Sequence, residues 1–258
     1  MENNIKYQTA MSLLQVDAFK NLATLKHIVY YKECLKLIVD RNSDGWIILA
    51  MFPSNRLAHD ALMYPESKWT VFISNSDSKI KFNYANYLPN ENCVVKTYDA
   101  EIERDIIDRY ASKISCSLLS YSTRSVIPSK PSDNVMVSNV LNDKMIRALQ
   151  PYSESELHKY FESGAKWFAI MQNDEIASGC FIFPNHTNIW EIAGVFTLEK
   201  YRRKGYAETI VISALNSILE SNNLPRYQVK DSNVASIRLA EKLGMELFLT
   251  LNHFQVKR

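Results

Sequence analysis

The segment Ile189–Ala207, which reads Ile-Trp-Glu-Ile-Ala-Gly-Val-Phe-Thr-Leu-Glu-Lys-Tyr-Arg-Arg-Lys-Gly-Tyr-Ala, constrains this chain more than any other. Up to about Thr197 it is apolar enough for a buried strand; a basic turn follows, and a helix pattern opens at Gly205. Strand, cationic turn and helix start, in that order, can aim several free backbone N–H groups and the positive end of a helix dipole at one point. That arrangement suits a phosphate, so the segment is expected to bind a phosphorylated cofactor. Lys200, Arg202, Arg203 and Lys204 form the only dense basic cluster. A solvated loop is the alternative for such a run, and its place between strand and helix is what favours the cofactor.

Composition closes off several other functions. The 258 residues suffice for one large domain or two ordinary ones. The 30 basic and 28 acidic residues are spread along the chain and leave a net charge of +2, which is no footprint for nucleic acid. Cys34, Cys93, Cys116 and Cys180 form no Cys-x-x-Cys pair and have no histidine at ligand spacing, so no metal is expected and the thiols should be free and mostly buried. Met1–Ala10 lacks an apolar core, and no apolar run approaches the roughly 18 residues of a membrane span. A cytoplasmic protein without a membrane partner, monomeric or homodimeric, is expected.

Along the chain, Asp17–Val39 carries Phe19, Leu22, Leu25, Val29, Leu35 and Ile38 at helical spacing and predicts one long or two shorter helices. Asp44-Gly45 is a turn, and Trp46–Phe52, Trp69–Ser74 and Cys93–Tyr98 are strand-like. Ile102, Ile106, Ile107 and Tyr110 predict a helix, followed by a mixed run through Leu119. Ser120–Pro131, rich in hydroxyls and holding Pro128 and Pro131, is the best linker, and it divides an α/β domain at 1–130 from a second domain at 131–258.

In the second half, Val135–Leu141 predicts a strand and Asn142–Leu149 a short helix. Ser153 with Glu156 three residues on marks a capped helix running to Gly164. Trp167–Met171 and Glu175–Phe183 are strands joined by an Asn173-Asp174 turn, and Pro184–Asn188 is a loop. After Gly205, Ala207, Ile210, Val211, Ala214, Leu215, Ile218 and Leu219 give an amphipathic helix that Leu224-Pro225 stops. Tyr227–Val229 is a short strand, Asn233 caps a last helix that ends at Gly244, and Met245–Val256 is strand-like.

These residues resemble a known family. Arg202-Arg203-Lys204-Gly205-Tyr206-Ala207 is similar to the Arg/Gln-x-x-Gly-x-Gly/Ala acyl-coenzyme A signature of the GNAT superfamily of N-acetyltransferases. The downstream block Asn233-Val234-Ala235-Ser236 to Lys242-Leu243-Gly244-Met245 resembles the closing helix of that superfamily, in particular its glycine N-acyltransferase-like branch. The resemblance covers about Val135 to Arg258 and implies an α/β (α+β) GNAT fold: a mixed central sheet flanked by helices, with the first half as a degenerate GNAT-like partner that shapes the acceptor pocket.

By resemblance, the strands Ile189–Thr197 and Tyr227–Lys230 splay apart and take the pantetheine arm of coenzyme A, with Val195, Phe196 and Thr197 offering the backbone. The turn of Arg202, Arg203, Lys204, Gly205, Tyr206 and Ala207 would wrap the pyrophosphate, Gly205 avoiding a side chain in the way of close backbone approach. Asn233 and Ser236 of the last helix would contact the cofactor arm. Glu191 takes the place of a general base, with a solvent-facing strand-edge carboxylate as the alternative; alternation puts Glu191, Ala193 and Val195 on one face. The Val195 N–H would polarise the thioester carbonyl. The chain departs from the pattern at Ala240, where many members carry a Tyr that protonates the leaving thiolate. Ser236 and Tyr206 are the substitutes to consider, each with packing or capping as its competing role.

The resemblance therefore implies an N-acetyltransferase that moves acetyl from acetyl-coenzyme A to a primary amine of a small molecule or amino acid derivative by direct attack in a ternary complex. The alternative is a non-catalytic acyl-coenzyme A-binding regulatory or sensory module. His158 and His186 have no partner spacing and are expected on the surface or satisfied in the core.

Overall fold

The computed structural model describes residues 2–76, 83–127, 134–150 and 152–258. It divides into two units, Met1–Leu118 with Leu249–Arg258, and Leu119–Phe248.

The first unit opens with α1 (Glu2–Gln15) and α2 (Leu22–Tyr30), followed by a hairpin of β1 (Lys36–Arg41) and β2 (Trp46–Pro53) about Asp44-Gly45. The region Asp17–Val39 is therefore helical only to Tyr30. Leu35 and Ile38 satisfy a helical spacing, but Lys36–Arg41 pairs antiparallel with Met51–Trp46, and that ladder decides. Next come α3 (Ala58–Met63), β3 (Trp69–Asn75), β4 (Cys93–Thr97) and α4 (Ala100–Tyr110), which Asp99 caps by accepting from the Glu101 and Ile102 N–H groups. β3 lies antiparallel to β2 and parallel to β4, from Trp69↔Cys93 to Phe72↔Lys96. β11 (Glu246–Val256) closes the far side of β4, antiparallel, from Asn252↔Thr97 to Val256↔Cys93.

The continuous apolar run of β2 feeds two layers because successive side chains point to opposite faces. Ile47, Leu49 and Met51 pack with Ile102 and Ile106 of α4, whereas Ile48, Ala50 and Phe52 pack with Leu14, Leu25 and Ile28 of α1 and α2. The polar groups buried here are matched. Lys96 Nζ donates to both Asp60 oxygens at 2.7 and 2.8 Å, and Thr70 Oγ1 donates to Asp60 at 3.0 Å. The His27 ring lies 4.3 Å from that of Phe72, and burial first, then the Lys96 charge, push its pKa down to about 3.

β5 (Ile114–Ser122) starts in the first unit and ends in the second. The hydroxyl-rich stretch expected as a linker thus begins as strand, while Pro128–Pro131, with the boundary expected there, lies outside the described residues. The second unit continues with β6 (Val135–Ser138), α5 (Asp143–Ala148), α6 (Glu154–Glu162), β7 (Lys166–Gln172), β8 (Glu175–His186), β9 (Ile189–Thr197), α7 (Tyr206–Glu220), β10 (Leu224–Lys230) and α8 (Val234–Lys242). Ser153 forms a reciprocal capping box with Glu156 at the start of α6. β8 runs on through Pro184–His186, where a loop was expected.

The strand order is β5-β10-β9-β8-β7-β6, and β9 pairs parallel with β10. One face carries α7, whose Ile210, Val211, Ala214, Leu215 and Ile218 pack on Cys180, Ile182 and Ile192 with Ala240 of α8 and Leu243 just beyond it. Each large side chain among them contributes roughly 1.5–3 kcal/mol by leaving water. The other face carries α5 and α6, with Met145, Leu149 and Leu157 on Trp167, Phe181 and Phe183.

Each unit holds a parallel strand pair followed by a helix, β3, β4 and α4 in the first and β9, β10 and α8 in the second. The expected mixed sheet flanked by helices is present. Among the described residues the four cysteines form no disulfide; Cys93, Cys116 and Cys180 are buried and Cys34 is half-buried. Among the described residues no helix is long and apolar enough to cross a membrane, and no group of three or more His, Cys, Asp or Glu could hold a metal ion.

Candidate active site

β9 carries the centre of the site. Against β8 it pairs Phe181↔Ala193 and then Gly179↔Phe196, so three steps on β9 oppose two on β8 and an extra residue is accommodated at Gly194–Val195. Gly194 has φ +61, and a Cβ there would lie 2.8 Å from Leu149 Cδ2 and 3.0 Å from Phe181 Cε1. Glycine is required on both counts. The bulge breaks the alternation expected along the strand. Val195 packs with Ile192 and Trp190 against the α7 layer, whereas Ala193 and Phe196 pack against the α5 and α6 layer. Val195 therefore does not share a face with Ala193 and Glu191.

On its other side β9 pairs with β10 from Leu224↔Ile189 to Tyr227↔Ile192 and no further. Yet β9 runs on to Thr197 and β10 to Lys230. The ladder opens from Ala193 onward, which leaves Val195, Phe196 and Thr197 without β10 as a partner.

Beyond Thr197 a 3-10 turn at Glu199–Tyr201 leads into the basic stretch. Arg203 has φ +63 and Gly205 φ +78, and this pair of left-handed residues folds the chain back into α7. Gly205 is the N-cap of α7 and offers no capping side chain, so the first-turn N–H groups are uncapped. A Cβ at Gly205 would meet no protein atom within 4 Å. The protein itself therefore demands glycine there only for its φ, and the space in front of the turn is open. The four cations separate into roles. Lys200 is paired with Glu175, which also accepts from the Tyr201 hydroxyl at 2.8 Å. Arg202 Nε donates to the Thr197 carbonyl at 3.3 Å and ties the turn to the end of β9. Arg203 and Lys204 are exposed, with the Lys204 ammonium over the Tyr201 ring.

Glu191 is buried, 7% exposed, not a solvent-facing edge carboxylate. It stands on an inner rung opposite Arg226, whose Nη1 donates to Glu191 Oε2 at 2.7 Å; Asn185 Nδ2 donates to the same oxygen at 2.9 Å. Arg226 Nη2 and Gln228 Nε2 both donate to Ser120 Oγ, at 3.0 and 3.2 Å. Glu191 Oε1 accepts no hydrogen bond among the described residues, and Asn185 Oδ1 is buried without one. Tyr152 also borders the carboxylate. Its phenol is pushed up to about 12 by burial first and by the Glu191 charge next, opposed by a hydrogen bond with the Gly194 backbone. Arg226, Asn185 and Tyr152 carry no motif. They become visible only when the register sets residue 226 beside residue 191.

Asn233 caps α8 by accepting from the Ser236 N–H at 3.2 Å, which gives both residues a structural role at the helix start. Lys242 of α8 reaches Glu208 in the first turn of α7 at 2.6 Å. Ala240 is fully buried in the layer that also holds Val195, Tyr206 and Tyr227. His158 is exposed beside Glu154 on α6, and His186 ends β8 with its pKa lowered by burial. The structure thus gathers the opened strand pair, an uncapped helix start and a buried carboxylate in one unit.

A protein-family model described as GNAT acetyltransferase matches residues 57–251 and so reaches well into the first half of the chain. No curated protein sequence matches. Among solved structures, a Drosophila protein superposes with a TM-score of 0.59 at 10% identity, covering 97% of this chain and 95% of its own. A GCN5-related N-acetyltransferase from Sphaerobacter thermophilus gives 0.60 at 9% identity over 82% of this chain and 77% of that one. One from Kribbella flavida gives 0.56 at 11% identity over 91% and 95%. At these identities the likeness is one of fold.

Proposed function

The chain belongs to the GNAT acetyltransferase family, whose members are acyl-coenzyme A dependent N-acyltransferases, and from that premise we propose that it transfers acetyl to a primary amine of a small molecule or amino acid derivative. The block Asn233–Met245 supports a place in the glycine N-acyltransferase-like branch. The observation that carries the reading is the parallel ladder that ends at Tyr227↔Ile192 beside a helix start with no side-chain cap.

The residues present fit coenzyme A. An amide-bearing arm can add to the freed edge of β9 at Val195, Phe196 and Thr197, as a strand would. The uncapped N–H groups of Gly205, Tyr206 and Ala207 suit a pyrophosphate in the open space before Gly205, and Arg202, Arg203 and Lys204 add attraction at longer range. Asn233 and Ser236 are the residues of α8 that would border the arm. Bound there, the co-substrate supplies an acyl carbon activated as a thioester.

The remaining roles belong to the chain. The Val195 N–H, re-aimed by the bulge, is the donor for the acyl oxygen. Glu191 is anchored through Oε2 by Arg226 and Asn185, and its Oε1 is the atom that holds the acceptor nitrogen and takes its proton. Asn185 Oδ1 offers a second acceptor in the same cluster. The acceptor attacks directly, in a ternary complex, and every residue invoked lies in the second unit.

Titration calorimetry with acetyl-coenzyme A, joined to a thiol-release assay over a panel of primary amines, tests this reading. Binding with amine-dependent thiol release is expected. Binding without turnover on any amine would favour the acyl-coenzyme A-binding module, which the buried methyl group at Ala240 otherwise supports, and absence of binding would overturn both.

A further inference from the structure

A polar belt crosses the sheet of the second unit along neighbouring strands, in the order β5-β10-β9-β8. It runs from Ser120 through Gln228 and Arg226 to Glu191 and Asn185. Arg226 and Gln228 stand two apart on β10 and so project to the same side. Stability alone does not call for such a belt. Ser120 is fully buried, Arg226 is 4% exposed and Glu191 7%, and an apolar pair of similar volume in place of a buried ion pair is commonly as stable or more so.

What the belt adds is direction. A guanidinium is a rigid planar fork, and this one has two holds among the described residues: Nη1 on Glu191 Oε2 at 2.7 Å and Nη2 on Ser120 Oγ at 3.0 Å. Its Nε is buried without a hydrogen bond. Ser120 is therefore the only hold outside the carboxylate itself, and Gln228 Nε2 fixes that hydroxyl from a second side at 3.2 Å. Without Ser120 the guanidinium would hang on Glu191 by one bond, and the two groups could turn together. At the far end both donors to Glu191, from Arg226 and Asn185, converge on Oε2, so that Oε1 is the oxygen left over.

We propose that Ser120 is a positioning residue for the acceptor-side base: through the Arg226 fork it sets the direction in which Glu191 Oε1 points. This rests on the reading of Glu191 given above. The role needs no contact with either substrate, which suits a hydroxyl with no exposure. It also gives a task to the first residue of the hydroxyl-rich stretch that sequence alone reads as a linker.

Ser120→Ala removes the hold. With acetyl-coenzyme A and a working amine at neutral pH, kcat should fall about tenfold. The calorimetric affinity for acetyl-coenzyme A and the KM for the amine should stay within about twofold of the wild type. Arg226→Lys keeps the charge but replaces the fork with a single point; it should show the same loss in kcat, and the two changes together should cost no more than either alone. Ser120→Ala in a Glu191→Gln background decides the matter, because a residue that acts through Glu191 should cost nothing further there. Wild-type kcat in Ser120→Ala would overturn the assignment. So would an undiminished further loss in the Glu191→Gln background, or weakened acetyl-coenzyme A binding, either of which marks a packing role. Wild-type turnover in Glu191→Gln alone would instead remove the base from the acyltransferase reading, and this proposal with it.

Discussion

Replacing Arg226 with methionine while Glu191 stays in place probes the buried pair on which the proposed acceptor side rests. The two side chains are 5% and 9% exposed and meet at 2.7 Å. Methionine fills most of the aliphatic volume of arginine, so the main change is electrostatic. A carboxylate is left on an inner rung with only Asn185 Nδ2 for a partner, and Ser120 retains Gln228. Breaking a buried pair from one side costs about 3–5 kcal/mol. For a chain of this size that corresponds to a fall of roughly 6–20 °C in Tm. Removing both charges in Glu191→Leu with Arg226→Met should recover most of the loss, since an apolar pair avoids the desolvation that the ions suffer. Urea denaturation at neutral pH of the wild type, both single variants and the double variant gives the coupling energy directly. A loss below about 1 kcal/mol in Arg226→Met would mean that the pair is solvated. A double variant as unstable as the single would assign the loss to packing, and either result would refute the reasoning.

Glu191→Gln should lower turnover more at acid than at alkaline pH if Oε1 takes the substrate proton, because the amine loses that proton unaided as pH rises; a uniform loss would assign Glu191 to anchoring alone. Gly205→Asp should abolish measurable coenzyme A binding by calorimetry, since it forces φ +78 on a side chain and sets a negative charge before the helix start; wild-type affinity would show the turn to be misassigned. Gly194→Ala should destabilise the protein by about 2–4 kcal/mol in urea melts, because its Cβ would meet Leu149 Cδ2 at 2.8 Å with φ +61. The pKa of His27, held near 3 against 6.5 in the unfolded chain, means that the unfolded state binds its proton first. Stability should therefore fall as pH drops from about 6.5 toward 3, by up to about 1.4 kcal/mol per pH unit, and His27→Gln should flatten that slope.

Local signals proved readable where one short stretch decides the outcome. The Ser153–Glu156 box, the extent Ile189–Thr197 of β9, the helix after Gly205, the Asn233 cap and the left-handed Gly244 were all legible, because each is set by residues within a turn of one another. The same holds for the basic turn. What escaped depends on pairing. The bulge at Gly194 inverts the face of Val195, and although an isolated glycine in a strand hints at one, period-two alternation gives the opposite answer until the β8 register is known. Arg226 falls just outside the strand expected at Tyr227–Val229, and only the parallel ladder shows that it neutralises Glu191. β1 was mistaken for helix because its partner lies across a turn, and α1 buries only scattered residues such as Ala10 and Leu14.

The ladder between β4 and the end of β11 sets an order of events during synthesis. Val95 must find Phe254, and Cys93 must find Val256, although most of the chain separates them. A ribosome adding about 5–20 residues per second leaves the outer edge of β4 bare for on the order of ten seconds after it emerges. Through that interval the first unit is a sheet with an open flank. Its maturation is therefore timed by Asn252–Val256, and a stop codon shortly before Asn252 would damage the earlier-made β4 as surely as β11 itself.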